Sequence, residues 1–165
     1  MSLDYSLFQF VNSFAGTNQL LDFLFVAITD FGVPALIMLT LFFCKKKPMY
    51  KTLFALWLVF VIDFVFKLFY FRPRPFASNQ VNLLVDHLAS ASFPSRHTDL
   101  AFAIAASIFL NEKKLGVIAL IIAFLVGFSR IFVGVHYPFD VFAGIVIGTA
   151  GAFFANWVID EFWRD

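Results

Sequence analysis

The chain has 165 residues, a formal net charge of +1, 61% hydrophobic residues and 14% charged residues. Soluble domains run about 45–50% apolar and about 25% charged, so an ordinary water-soluble domain and a disordered chain are both excluded. The near-neutral balance supplies no basic field for nucleic acid, and the single cysteine, Cys44, rules out an internal disulfide framework or a cysteine-cluster metal site.

Leu3, Leu7, Phe10, Val11 and Phe14 recur at helical spacing, over a stretch too short to cross a bilayer. Gly16-Thr17-Asn18 ends it. The pattern predicts an amphipathic helix lying in the membrane interface. A cleavable leader would need a basic start, and no Lys or Arg precedes Lys45. Five spanning or nearly spanning segments follow, at 20–43, 52–71, 95–110, 115–133 and 138–159. The first is interrupted by Asp22, Asp30, Gly32 and Pro34, and the third is short. The expected fold is all-α: one domain over residues 1–165, a polytopic membrane helical bundle of about five transmembrane helices plus the interfacial helix. The long connection 72–93 holds Pro73, Pro75, Ser78, Asn79 and Asn82. Within it Val81, Leu84, Val85 and Leu88 are spaced for a short helical turn.

Basic residues in short loops mark the cytoplasmic side. Lys45, Lys46, Lys47 and Lys51 flank the first connection, Lys113 and Lys114 lie in the third, and Arg164 is near the C-terminus. With five spans, the N-terminus is expected outside and the C-terminus in the cytoplasm. The other cations, Lys67, Arg72, Arg74, Arg96 and Arg130, then collect at the outer face with His87, His97 and His136. Lys67, His97 and Arg130 lie about 20–22 Å along their helices from the inner ends, which places them at matching depth. That is slightly below the surface of a hydrocarbon core about 30 Å thick, where a site could meet a lipid headgroup.

Three clusters carry the chemistry. Lys67 is followed after six residues by Arg74-Pro75. Pro94-Ser95-Arg96-His97 opens the third span. Ser129-Arg130 is followed by His136 and then Asp140. Fixed cations with two histidines and an acid suit phosphoryl transfer, where catalysis is mostly positioning and charge stabilisation. Arg grips oxygens with a planar fork and Lys supplies a point charge. Ser95 stands where an N-cap belongs, so the first amides of the helix would face an anion. A histidine can attack phosphorus when an acid orients its other nitrogen, and a second can protonate the departing oxygen.

These clusters resemble the three signature motifs of the type 2 phosphatidic acid phosphatase superfamily. Lys67, Arg74, Pro75, Pro94, Ser95, His97, Ser129, Arg130, His136 and Asp140 match in order and spacing. Within it, Arg74-Pro75-Phe76, 91–95 and 127–131 resemble the undecaprenyl diphosphate phosphatases of the bacitracin-resistance type. The resemblance implies His136 as the nucleophile that forms a phosphohistidine, Asp140 as its orienting acid, and His97 as the general acid. It also implies Lys67, Arg74, Ser95 and Arg130 as phosphate ligands, with no metal or other cofactor. The substrate it implies is a polyprenyl diphosphate in the bacterial plasma membrane, cleaved at the outer face. A phosphatase of phosphatidylglycerol phosphate or phosphatidic acid is the alternative. A non-enzymatic transporter subunit would instead need a charged stripe through the membrane, whereas these cations gather at one face. The partners expected are the lipid substrate and membrane lipids, and the oligomeric state is left open.

One position departs from the family. Arg96 stands where the motif has glycine, and its side chain is expected to reach the second phosphate of a diphosphate. Of the remaining residues, Arg72 reads as a headgroup contact and His87 as a loop residue. Asp22, Asp30 and Asp63 read as structural ties, Asp63 to Lys67 four residues on. Asp99 suits a helix start and could pair with Arg96.

Overall fold

The computed structural model describes residues 3–163. The predicted Arg164 lies outside the described residues. Seven helices form among them: α1 (Leu3–Asn12), α2 (Gln19–Phe43), α3 (Lys46–Phe69), α4 (Pro75–Ser78), α5 (Arg96–Asn111), α6 (Lys113–Phe132) and α7 (Pro138–Phe162). Local sequence explains several boundaries. Asn18 caps α2 by accepting the Leu20 and Leu21 amides at 2.9 and 3.2 Å. Pro138 sits in the first turn of α7, where its missing N–H costs nothing. The Asp140 carboxylate turns back onto the Tyr137 amide at 2.9 Å.

Four helices, α2, α3, α6 and α7, are long and apolar enough to cross a membrane. The fifth predicted span is α5, whose 16 residues fall short of the ~20 a lipid-exposed span requires. Its role differs from that of the others. It is the central pillar, in contact with α2, α3, α6 and α7. Nearly all of its residues from Thr98 to Ile108 are buried, four of them alanines. Small side chains let neighbouring backbones close in, the usual device of helices packed within lipid. Gly148 of α7 shows how tightly: a Cβ there would come within 2.2 Å of the Asp99 carbonyl. Gly148→Ala should therefore destabilise the fold by about 1–3 kcal/mol, read as a lowered Tm in detergent.

The far ends of these helices meet in a second polar layer. Lys51 of α3 bonds Asn111 of α5 at 3.0 Å and Asp160 of α7 at 2.7 Å, and Asn111 bonds Asn156 at 2.8 Å. The lysine-rich ends thus cluster at one end of the bundle, and α5 runs from that layer to the histidines at the other. The phenylalanine excess is also explained. Phe23, Phe31, Phe42, Phe64, Phe124, Phe142 and Phe153 are exposed on the outer helices, an apolar surface fit for lipid.

Of two local expectations, one holds and one is corrected. α1 is amphipathic, and its apolar stripe faces away from the protein. Asp4 and Asn12 are buried with Phe8, whereas Leu3, Leu7, Phe10 and Phe14 face outward. Asn12 bonds the Phe132 carbonyl and both ends of Asn82, which fastens the long connection to α6. That connection has no helix at Val81–Leu88. Asn12 and the Leu84 amide bond to the Val133 carbonyl hold it extended, and the one helical turn forms earlier, at α4, where Pro75 opens it. Val81, Leu84 and Val85 pack inward while Leu88 is exposed.

Candidate active site

At the end opposite the lysines, the helix starts and stops converge. The last turn of α3 supplies Lys67, and the start of α4 supplies Arg74. The first turn of α5 supplies Arg96 and His97. The end of α6 supplies Arg130, and the junction to α7 supplies His136 and Asp140. Lys67, Arg74, Arg96, His97 and His136 line one cavity of about 220 Å³, with His87 and Ser90 completing its wall.

His136 is buried, and its Nε2 lies 3.0 Å from Arg74 Nη1. A guanidinium only donates, so Nε2 carries the lone pair that accepts from Arg74 and the ring proton sits on Nδ1. Burial first, then the nearby Arg74 and Arg130 charges, lower the His136 pKa to about 3, against the opposing pull of Asp140. The folded protein therefore keeps this ring neutral down to that pH, whereas an unfolded histidine takes its proton near 6.5. Between these values the unfolded chain binds more protons, so stability is lost as pH falls, by about 1.4 kcal/mol per unit. Thermal unfolding from pH 7 to pH 4 should show a falling Tm, with a shallower slope in His136→Gln.

Arg74 is anchored by Val135 O at 3.0 Å, Ser90 O at 3.2 Å and Ser90 Oγ at 3.1 Å. Burial lowers its pKa to about 10, which still leaves it charged. Arg130 is 2% exposed, and its Nε has no hydrogen-bond partner among the described residues. A buried guanidinium left unsatisfied is costly unless an anion completes it. Ser95 is buried at the N-cap position of α5, but its side chain caps no amide. It accepts a hydrogen bond from Thr98 Oγ1 at 2.9 Å and keeps its own proton to donate.

Asp140 lies directly behind His136. Its Oδ2 is 3.6 Å from Nδ1, while Ser92 Oγ lies 2.5 Å from that same oxygen. Arg72 Nη1 bonds its Oδ1 at 2.6 Å. Arg72 is thus no headgroup contact. It bridges Asp140 to Asp4, and Asp4 also accepts the Phe139 amide at 2.9 Å. Burial opposes the Arg72 charge, yet the two carboxylates hold its pKa above the ordinary value.

Arg96 lies along the cavity and over the Phe60 ring, but its Nε is taken by Asp63 at 2.7 Å. Asp63 is fully buried and also holds Lys67 at 2.6 Å. The expected pairing of Arg96 with Asp99 does not form. Asp99 is buried with both oxygens unpartnered among the described residues. Asp22 is tied to the Gly16 amide, as expected of a structural acid. His87 donates from Nδ1 to the Leu88 carbonyl at 3.0 Å, and burial lowers its pKa.

Sequence reading missed Ser92, Ser90 and the Arg72–Asp4 bridge. A lone acid in the apolar α1 was the available signal for Asp4. Nothing in spacing pointed to Ser92, which lies in the stretch 91–95.

This fold and this cavity are those of a membrane phosphatase, and the chain belongs to the PAP2 superfamily, whose model matches residues 31–164. It is a multi-pass membrane enzyme that hydrolyses a phosphate ester or anhydride of a lipid. Among curated proteins it is similar to the undecaprenyl-diphosphatase BcrC of Bacillus subtilis, 36% identical over 152 residues, covering 88% of this chain and 78% of the relative. Among solved structures it is similar to Aquifex aeolicus LpxE, with a TM-score of 0.82 and 34% identity over 94% of this chain and 95% of that one. It is also similar to a PAP2-type phosphatidylglycerolphosphate phosphatase from Bacillus subtilis, with a TM-score of 0.72 and 25% identity over 99% and 89% of the two chains.

Proposed function

We propose that this enzyme removes the terminal phosphate of undecaprenyl diphosphate, releasing undecaprenyl phosphate and inorganic phosphate. It does so at the outer face of the bacterial plasma membrane, with the N-terminus outside and the C-terminus cytoplasmic. The observation that carries the diphosphate reading is the clamp at Asp63. One buried carboxylate holds two cations, Lys67 and Arg96, side by side on the cavity wall, in addition to Arg74 and the unsatisfied Arg130 around His136. Four cations exceed what one phosphate requires and suit two. The cavity of about 220 Å³ takes a headgroup, so the polyprenyl chain stays in lipid. The likeness to BcrC over most of both chains supports the same substrate.

The chemistry follows from the geometry. The Nε2 lone pair of His136 attacks the terminal phosphorus while Arg74, Arg130 and Ser95 hold its oxygens. The bond to the bridging oxygen breaks, and its electron pair leaves with undecaprenyl phosphate, which takes a proton from His97. Neutral His97 then accepts a proton from water. The hydroxide formed attacks the phosphohistidine, releasing phosphate and restoring the Nε2 lone pair. Positive side chains supply the charge stabilisation, so no metal is needed.

Phosphate release by the purified protein with chelator present tests this. Undecaprenyl diphosphate, phosphatidylglycerol phosphate and phosphatidic acid are compared side by side. Fast release from the diphosphate alone supports the reading, and preference for a glycerolipid overturns it. Arg96→Gly should lower kcat/KM for the diphosphate by about 10-fold, the value of one charge-assisted hydrogen bond, and leave a monophosphate substrate nearly unchanged.

A further inference from the structure

We propose that Ser92 is a positioning residue for the nucleophile, its hydroxyl bridging the His136 ring and the Asp140 carboxylate, whose direct contact with that ring is a long 3.6 Å. The inference rests on His136 acting as the nucleophile. Asp140 Oδ2 and His136 Nδ1 are 3.6 Å apart, beyond hydrogen-bond reach. Ser92 Oγ sits between the two, 2.5 Å from Oδ2 and 3.4 Å from Nδ1.

The proton order is set by what each neighbour can do. Asp140 accepts from Arg72 at Oδ1 and from the Tyr137 amide at Oδ2, so its carboxylate is the acceptor and Ser92 must donate to it. The Ser92 oxygen is then left to accept. Arg74 donates to Nε2 of His136, which puts the ring proton on Nδ1, facing Ser92. A single chain results: Nδ1–H to Oγ, then Oγ–H to Oδ2.

The segment carrying Ser92 is fastened at both ends of this chain. The Ser92 amide donates to the Arg72 carbonyl at 2.8 Å, and the Arg72 side chain holds Asp140. Ser90 and Ala91 accept from Arg74, which faces His136. Ser92 itself is 0% exposed. Residues 90–92 therefore set the relative placement of the nucleophile and its acid, and the hydroxyl lies within reach of both.

When Nε2 bonds phosphorus, the ring gains a positive charge. The electron pair of the broken P–O bond leaves with the oxygen, which is protonated by His97. The Nδ1 proton stays on the ring and its bond to Ser92 tightens. The Asp140 charge thus acts on the imidazolium through this hydroxyl as well as across the 3.6 Å ion pair. This link stabilises the phosphorylated enzyme more than the free enzyme. Its loss slows phosphohistidine formation and leaves the phosphohistidine more labile. A residue with only a structural role would not divide the two steps in this way.

The test is rapid-quench trapping of phosphohistidine on the full-length enzyme, using a prenyl diphosphate with a radiolabelled terminal phosphate. Steady-state kinetics and Tm are read in parallel. Ser92→Ala should lower kcat by about 10- to 100-fold, the worth of a hydrogen bond to a charged group, with KM within about twofold. The trapped fraction should fall because formation slows while breakdown does not. Ser92→Thr, which keeps a hydroxyl, should recover much of the rate. Ser92→Cys, similar in size but a weak donor, should remain impaired at an unchanged Tm. Wild-type trapping levels and rates in Ser92→Ala would overturn the proposal. Equal slowing of both steps, accompanied by a lowered Tm in all three variants, would also overturn it. If wild-type enzyme traps no phosphohistidine, the nucleophile assignment itself fails, and the Ser92 proposal with it.

Discussion

His136→Ala should abolish phosphate release from every lipid phosphate, by about 10⁴-fold or more, because it removes the group that forms the covalent intermediate in the proposed mechanism. The size of the effect follows from the surroundings of the ring. Arg74 at 3.0 Å points its donor at Nε2, so that nitrogen is held unprotonated before substrate arrives. No other described histidine shares this arrangement. His97 is in the first turn of α5, and His87 spends its Nδ1 proton on the Leu88 carbonyl. The fold of the variant is read from its Tm in parallel, since alanine removes a fully buried ring. Binding should survive, since Lys67, Arg74, Arg96 and Arg130 remain. Phosphate release, together with retained binding of a non-hydrolysable diphosphate, checks this prediction. Residual activity above about 1% of wild type would remove His136 from its role.

Asp63→Asn should have the second largest effect, on both stability and selectivity. The carboxylate is fully buried between Lys67 at 2.6 Å and Arg96 at 2.7 Å. Removing one partner of a buried ion pair leaves an uncompensated charge and costs about 3–5 kcal/mol. Arg96 is 43% exposed and can turn to water, which puts the cost toward the low end of that range. Lys67 is the more buried of the two cations and bears most of it. The kinetic signature should be specific. Without the clamp, Lys67 and Arg96 no longer stand together on the cavity wall, so KM for a diphosphate rises while hydrolysis of a monophosphate changes less. Thermal unfolding and a comparison of the two substrates check both parts. Equal losses on the two substrates would mean that the clamp serves only the fold.

These expectations separate what was legible in the chain from what was not. The three clusters from Lys67 to Asp140 and the sidedness of the lysines were readable, because helical periodicity and loop charge are local properties. The cavity lining of Lys67, Arg74, Arg96, His97 and His136 agrees with that reading. The shortness of α5 has a physical origin. A short helix of small residues reads as a weak membrane span, but its length suffices when other helices, rather than lipid, surround it. The apolar stripe of α1 was plain, whereas the bonds by which Asp4 and Asn12 find Arg72 and Phe132 far along the chain were not.

The sequence by itself therefore determined the membrane class, the phosphatase family and most residues that line the cavity, since each motif lies within one helix end or one turn. Only the tertiary structure decided what stands behind them. Ser92 between His136 and Asp140, Arg72 between Asp140 and Asp4, and Asp63 between Lys67 and Arg96 all join separate elements. Such links depend on how helices approach one another, and spacing along a chain specifies only neighbours on the same helix.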